Sequence, residues 1–251
     1  MNPPFHMVAL SGGKDSTALA LALREHNPQI DYTFYCTPTG NELPEMFDWW
    51  KQLGELLGKP ILPIMEMTLE SCIENHKALP NFRMRFCTRE IKIEPVIRLF
   101  SRLIQLGEVH NYVGLRADEE GRAGGSFDQV PGVQVHFPLR EWGWRLKDVK
   151  GFLTSKGIQV PQRTDCALCY HQRIGEWWRL WANHPEEFAK GVELERKYGA
   201  TLRSPGRDSW PVALVDLAKE FERGNTPKGE RQLSLFCRGS MNTGSCRVCS
   251  L

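Results

Sequence analysis

Ser11-Gly12-Gly13-Lys14-Asp15-Ser16 constrains this chain more than any other stretch. It follows the apolar residues Met7, Val8, Ala9 and Leu10 and opens a helical pattern over residues 17–25, so it reads as a strand-to-helix turn. Small residues at 11–13 let backbone N–H groups approach an anion closely, and the following helix adds the positive end of its dipole. Lys14 supplies a charge and Ser16 a donor. A Walker A loop needs four residues between its glycines and a Lys-Ser/Thr pair after the second, and that spacing is absent. The stretch reads as a phosphate cradle of a different kind. Its plain alternative is a glycine turn with a solvated lysine.

Strand and helix signals alternate downstream. Tyr32-Thr33-Phe34-Tyr35-Cys36 is aromatic and β-branched, and Thr37-Pro38-Thr39-Gly40-Asn41 is turn-rich. Pro44 opens a helix whose apolar residues, Met46, Trp49, Trp50, Leu53, Leu56 and Leu57, recur at helical spacing until Gly58-Lys59-Pro60. Residues 61–65 predict a third strand, at an edge because Pro63 cannot donate to a ladder. Residues 91–106 predict a helix interrupted early by Pro95, and residues 112–115 a further strand ending at Arg116. The pattern predicts an α/β fold, a parallel twisted sheet with helices on both faces, whose ligands sit beyond the carboxyl ends of the strands. Loops beginning at Ser11, Thr37 and Arg116 then share one rim. A mainly helical region should follow: residues 1–165 read as a nucleotide-binding α/β domain, and 166–251 as a helical, cysteine-containing region and tail.

Thirty-two Lys and Arg against 30 Asp and Glu leave a net charge of +2, so no global charge announces nucleic acid. No apolar run approaches the ~20 residues needed to cross a bilayer, and the start of the chain leaves no room for a signal peptide, so a cytoplasmic, non-membrane protein is expected. In a reducing compartment eight cysteines suggest metal, cluster or redox chemistry rather than disulfides.

Ser-Gly-Gly-Lys-Asp-Ser resembles the PP-loop of ATP pyrophosphatases, the superfamily of phosphoadenylylsulfate (PAPS) reductases, tRNA thiolases and DNA phosphorothioation enzymes. Thr39-Gly40-Asn41-Glu42-Leu43-Pro44-Glu45 is similar to the Thr-Gly-x-x-Phe-Pro-Glu segment of PAPS reductase-like proteins, with Leu43 in place of the aromatic. Gly114-Leu115-Arg116 resembles their Gly-x-Arg segment, and Pro138-Leu139, Trp142 and Asp148-Val149 resemble their Pro-Leu, Trp and Asp-Val signature. The resemblance implies an adenine nucleotide alpha-hydrolase-like fold. It also implies an ATP site on Ser11, Gly12, Gly13, Lys14, Asp15, Ser16, Thr39, Gly40, Gly114 and Arg116, with Lys14, Asp15 and Arg116 catalytic and Mg²⁺ bridging phosphates. Taken singly, Trp142 could be core, Asp148 a helix cap and Arg116 a surface charge.

Cys166-Ala167-Leu168-Cys169 reads as a Cys-x-x-Cys at a helix start, and Cys87 stands far upstream. Three such thiols can hold a [4Fe–4S] cluster with one iron open, a zinc ion with a fourth ligand, or no metal at all. Cluster-dependent tRNA thiolases, which this set resembles, use three cysteines including a Cys-x-x-Cys. APS reductases carry paired cysteines where Phe86 here precedes a single Cys87. His171 is a further candidate ligand, set against a helix-surface role. Cys237, Cys246 and Cys249 lie in a Gly/Ser/Asn-rich tail and form a second candidate set, for metal, cluster or persulfide. Cys36 and Cys72 read as buried. No Glu-Cys-Gly-[Leu/Ile]-His motif of true PAPS reductases is present.

Helices are predicted over residues 174–181, 185–198 and 211–223. Trp177, Trp178 and Trp181 could stack bases, though packing roles are expected for at least two of them. Arg83, Arg85, Arg89 and Lys92, with Arg140, Arg145, Lys147 and Lys150, offer local positive charge for an anionic substrate. The function expected is ATP-dependent sulfur transfer: adenylation of a nucleic-acid oxygen, DNA phosphate ahead of a tRNA base, then replacement by sulfur carried on the open iron. A cysteine desulfurase or other sulfur donor is the expected protein partner. The alternatives are a PAPS or APS reductase on a small sulfonucleotide, and a nucleotide- or cluster-sensing subunit.

Overall fold

The apolar run at residues 7–10 becomes the middle of a sheet. In the computed structural model, which describes residues 3–122 and 130–230, strand β1 (Phe5–Ala9) lies between β2 (Tyr32–Cys36) and β4 (Val109–Tyr112). β3 (Leu62–Pro63) and β5 (Val133–His136) close the edges in the order β3-β2-β1-β4-β5, and every pairing is parallel. The chain steps outward from β1 to β3 and then crosses back to β4 on the other side of β1. This reversal between β1 and β4 is the switch point at which doubly wound sheets open a ligand crevice.

Alternate side chains bury both faces, as a parallel sheet requires. Val8, Leu10, Tyr32 and Phe34 pack with α1 (Lys14–His26), α2 (Pro44–Leu57) and α6 (Leu146–Ser155). Met7 and Tyr35 pack on the opposite face against Val96 and Phe100 of α4 (Glu94–Leu103). Trp142 lies against the first of these cores, behind the short α5 (Pro138–Glu141), and the Asp148 carboxylate caps α6 by accepting the Arg145 N–H at 2.8 Å.

A third core stands beside the sheet. Leu69 and Ile73 of α3 (Leu69–His76), with Leu43, Phe86 and Ile91, pack with Leu168 and with α7 (Ile174–Asn183), α8 (Pro185–Tyr198) and α9 (Leu214–Glu222). It therefore draws on residues from both sides of position 165. Trp177 is fully buried in it, and Trp178 and Trp181 pack partly buried against it. These three tryptophans are packing residues. Among the described residues no helix is long and apolar enough to cross a membrane.

Several elements depart from the expected bounds. α1 begins at Lys14, three residues early, which brings the lysine into the helix's first turn. β3 spans only two residues. The helix expected from Ile91 starts as a π-helical turn, Thr88–Ile93, in which the Glu94 N–H donates to the Arg89 carbonyl, and becomes α4 at Glu94; Pro95, which has no N–H to continue that pattern, falls at the change from one helix type to the other. β4 is Val109–Tyr112 rather than residues 112–115. Its polar Asn111 is wholly buried because the Tyr35 hydroxyl donates to Oδ1 at 3.0 Å.

Candidate functional site

The candidate phosphate loop, residues 11–16, leaves the carboxyl end of β1 at the switch point. Gly12 has φ +85°, and a Cβ there would sit 2.9 Å from Met46 Cε and 3.0 Å from Trp50 Nε1. Only glycine fits both the backbone and the space. Trp49 Nε1 donates to the Gly12 carbonyl at 2.8 Å and Trp50 Nε1 to the Ser11 carbonyl at 3.2 Å. Because trans peptides point C=O and the next N–H in opposite directions, anchoring these carbonyls to α2 turns the N–H groups of Gly12 and Gly13 away from it. The Gly13 N–H meets Ser11 Oγ at 3.3 Å, and Ser16 Oγ donates to the Gly13 carbonyl at 3.1 Å. The first N–H groups of α1 have no acceptor inside the helix. The two tryptophans that hold the loop read in the sequence only as helix periodicity.

The charges of the site converge on Asp15. Arg116 Nη1 lies 2.8 Å and Lys14 Nζ 3.4 Å from Asp15 Oδ2, and all three residues are buried. Arg116 is thus no surface charge. Its Nε reaches Asp118 Oδ1 at 2.8 Å, and its backbone N–H donates to Glu119 Oε2 at 3.2 Å. Burial pulls the Lys14 ammonium below its ordinary pKa, against the attraction of Asp15. Burial also pulls on Arg116, but Asp15, Asp118 and Glu119 outweigh it and hold the guanidinium above its usual value. Asp15 Oδ1 is buried without a hydrogen-bond partner. Gly114 brings these groups together: a Cβ there would lie 3.1 Å from the Asp15 carbonyl carbon and Ser16 Cα, so the loop after β4 presses directly on the start of α1.

The loop after β2 completes the rim. Thr39 is buried, and its N–H and hydroxyl both donate to Glu42 Oε1 at 2.7 Å. Gly40 has φ +71°. An open apolar depression lined by Cys36, Pro38, Gly40, Phe47, Trp50 and Met65 adjoins the phosphate loop. Asn41 was not anticipated. Its carbonyl accepts the Ala167 N–H at 2.6 Å and its Oδ1 the Leu168 N–H at 2.9 Å, so this loop holds the Cys-x-x-Cys backbone.

Cys87, Cys166 and Cys169 line one small cavity with Thr39, Lys92, Tyr170 and His171. The sequence's three-thiol set is therefore brought together. The Cys-x-x-Cys lies in turns, not at a helix start as expected; the next helix begins at Ile174. Side chains take the backbone groups a helix would use. Arg163 donates to the Cys166 and Ala167 carbonyls, and Gln172 Nε2 donates to Ala167 O at 2.6 Å. His171 likewise sits in this turn, half-buried, rather than on a helix surface. Cys166 and Cys169 are free thiols that interact as one buried pair: a hydrogen bond between them favours the Cys166 thiolate and pushes the Cys169 thiol well up. Burial, then the neighbouring Cys166, pushes the Cys87 thiol up to about 11. The cavity, which the thiols line together with eight other residues, holds about 20 Å³, close to the room one water needs. Three thiols beside the Lys92 cation suit a group that binds thiolates. Cys36 and Cys72 are buried as expected. Cys237, Cys246 and Cys249 lie outside the described residues.

Two of the basic residues are committed to local partners. Arg140 is committed to the Glu119 and Arg122 carbonyls, at 2.7 and 2.6 Å, and Arg89 to Glu90 and Glu94, at 3.1 and 3.2 Å.

No family model matches the chain. It is 25% identical, over 267 aligned positions covering 82% of this chain and 79% of the relative, to an uncharacterized 37.8 kDa protein in the gpa 5′ region of Escherichia phage 186. Among solved structures it is similar to a PAPS reductase from Candida auris in its phosphate complex. The TM-score is 0.46 and the identity 14%, with 64% of this chain and 75% of that chain covered.

Proposed function

We propose that this protein is a PP-loop ATP-dependent sulfurtransferase: it adenylates an oxygen of a nucleic-acid substrate, with a DNA backbone phosphate favoured over a tRNA base, and exchanges that oxygen for sulfur. The observation that carries this reading is the buried Lys14–Asp15–Arg116 constellation at the switch point, with a separate corner of three thiols held by Asn41 of the loop after β2. An ATP polyphosphate suits the N–H groups of the loop and Lys14, and its base suits the apolar depression beside Trp50. The buried, partnerless Asp15 Oδ1 suits Mg²⁺, which neutralises phosphate charge when bound.

In the first step the substrate oxygen attacks the α-phosphorus, the bond to the β-phosphate oxygen breaks, and pyrophosphate leaves. Lys14 and Arg116 are preorganised cations against the charge that develops there. In the second step a sulfide-class nucleophile attacks the activated centre and AMP departs with the original oxygen. Dividing the exchange this way replaces one difficult displacement by two easier ones. Cys87, Cys166 and Cys169 would hold a [4Fe–4S] cluster once their cavity, which has room for about one water, widens; bound, the cluster would supply an iron without a protein ligand. The second reading is a zinc ion on the same cysteines with His171 on the cavity wall as fourth ligand; their donor atoms do not all lie within 4.8 Å of one another, so the side chains would have to close in on the ion.

Anaerobically prepared protein incubated with ATP, sulfide and either DNA or tRNA tests the reaction. Pyrophosphate release and sulfur incorporation that both require the polymer are expected, and ATP consumption indifferent to both polymers would sink the proposal. Sulfite produced from PAPS with a thiol reductant would establish the reductase alternative. Iron, sulfide and zinc content with an absorption spectrum decides between cluster and zinc.

A further inference from the structure

A second donor set lies apart from the phosphate loop and outside the three-thiol cavity. Cys72 and His76 stand four residues apart on α3, so their side chains leave the same face of the helix. Glu90 comes from the π-helical turn that packs beside α3. Cys72 Sγ, a His76 ring nitrogen and a Glu90 carboxylate oxygen all lie within 4.8 Å of one another. The carboxylate spans the pair: Cys72 Sγ donates to Oε2 at 3.6 Å, and His76 Nε2 is 2.8 Å from Oε1. The His76 ring stacks on Phe86, with centroids 4.1 Å apart and 13° between planes, which fixes its orientation.

The plain account is a buried cysteine beside a surface His–Glu pair. Two features exceed it. The three donors are a sulfur, an imidazole nitrogen and a carboxylate oxygen, the set that a borderline divalent ion prefers. Their separations also come near what an ion needs. A tetrahedral ion with bonds of about 2.0–2.3 Å holds its ligand atoms about 3.3–3.8 Å apart. Here one donor atom from each residue lies within 4.8 Å of the other two, with the Glu90 oxygens 3.6 Å from Cys72 Sγ and 2.8 Å from His76 Nε2, so side-chain turns must close the set. A thiolate and a carboxylate also balance a dipositive charge.

We propose that Cys72, His76 and Glu90 bind a divalent transition-metal ion of the zinc class, with a fourth position left to water. Binding forms the sulfur–metal bond as the Cys72 thiol proton passes to solvent, and neutral His76 ligates through Nε2. Arg89, now 3.1 Å from Glu90 Oε1, is mostly exposed and keeps Glu94 as its partner when the Glu90 carboxylate turns to the ion. The bound ion ties α3 to the turn that carries Cys87 three residues before Glu90, and so acts as a clamp behind the thiol corner.

The full chain, stripped with a chelator under reducing, anaerobic conditions and titrated with Co(II), tests this independently of nucleotide or sulfur chemistry. Its thiolate-to-cobalt charge-transfer band should persist when Cys87, Cys166, Cys169, Cys237, Cys246 and Cys249 are all serine. The natural chain should bind one equivalent more than its His76→Ala and Glu90→Gln variants. Zinc competition should show affinity at this site falling in both variants by more than the ~10–100-fold that loss of even an outer partner causes. Both substitutions lie toward the surface, so melting curves on the apo forms establish that the variants fold. Cobalt stoichiometry unchanged by His76→Ala and Glu90→Gln would overturn the proposal, as would absence of cobalt uptake by the natural chain or its complete loss on replacing Cys166 and Cys169.

Discussion

Consecutive residues 11–16 make the loop proposed to cradle phosphate, whereas the thiol corner gathers positions 87, 166 and 169 that only the tertiary fold brings near one another. The loop is specified by backbone: a left-handed Gly12, a Gly114 with no room for a side chain, and carbonyls anchored by two indoles. The corner is specified by side chains, with Asn41, Arg163 and Gln172 satisfying the backbone of an irregular turn. A site of the first kind tolerates few substitutions anywhere along a short stretch. A site of the second kind depends on residues remote in sequence, and its defects should be local.

The largest effect that sharpens this contrast is expected from Asp15→Ala. It strands buried Arg116 and Lys14 without their shared carboxylate, leaving Asp118 at Nε and Glu119, 3.6 Å from Nη1, to compensate the guanidinium in part. A loss of about 3 kcal/mol, at the low end for breaking a buried pair, should appear in urea unfolding. Asp15→Asn should retain more of the fold while abolishing pyrophosphate release. An unchanged urea midpoint in Asp15→Ala would show that the charges do not act as a buried set. Gly12→Ala comes next, at about 1–3 kcal/mol from backbone strain, with loss of ATP binding measured by calorimetry. Retained ATP affinity there would break the claim that backbone geometry makes the loop.

Asn41→Ala probes the other region. Leaving the Leu168 N–H without its acceptor should cost about 1–2 kcal/mol in thermal unfolding and speed alkylation of Cys166 and Cys169, while the phosphate loop keeps its affinity. Equal damage to both regions would erase the distinction between them.

The smallest effect concerns neither region and serves as a baseline. His6, His110 and His136 stack across β1, β4 and β5. Burial first, then the neighbouring histidines, lowers the pKa of His6 and His136 below 6.5. The unfolded chain therefore takes up protons before the folded one does. Stability should be full above pH 6.5 and fall as the pH drops through the folded-state values. Comparing denaturation midpoints at about pH 7 and 5 should show a shallower fall in His136→Gln than in the natural chain.

What the sequence made legible follows the same division. The sheet class, α2 and the strand-to-helix turn at residues 11–16 were readable because period, proline and glycine signals are local: Pro44 opens α2, and Gly58 ends it in the left-handed conformation. Also legible was the three-thiol grouping, though only through a resemblance. β4 was misplaced because buried Asn111 looks like a loop residue until Tyr35 is brought beside it, and β5 and α3 are too short to show a clear period. Reading the Cys-x-x-Cys as a helix start failed for a like reason, since the captures by Asn41 and Arg163 leave no trace in local pattern.

Asn41 has a further consequence. It lies two residues from Thr39, whose hydroxyl shares the Glu42 carboxylate, and it fastens the Cys-x-x-Cys backbone at two points, so this strap has little slack. A ligand on the rim that displaces it changes affinity at the thiols, and by thermodynamic reciprocity a ligand at the thiols changes affinity on the rim by the same factor. Order of loading then becomes measurable: nucleotide affinity taken with the thiols free and with them occupied gives the coupling free energy directly.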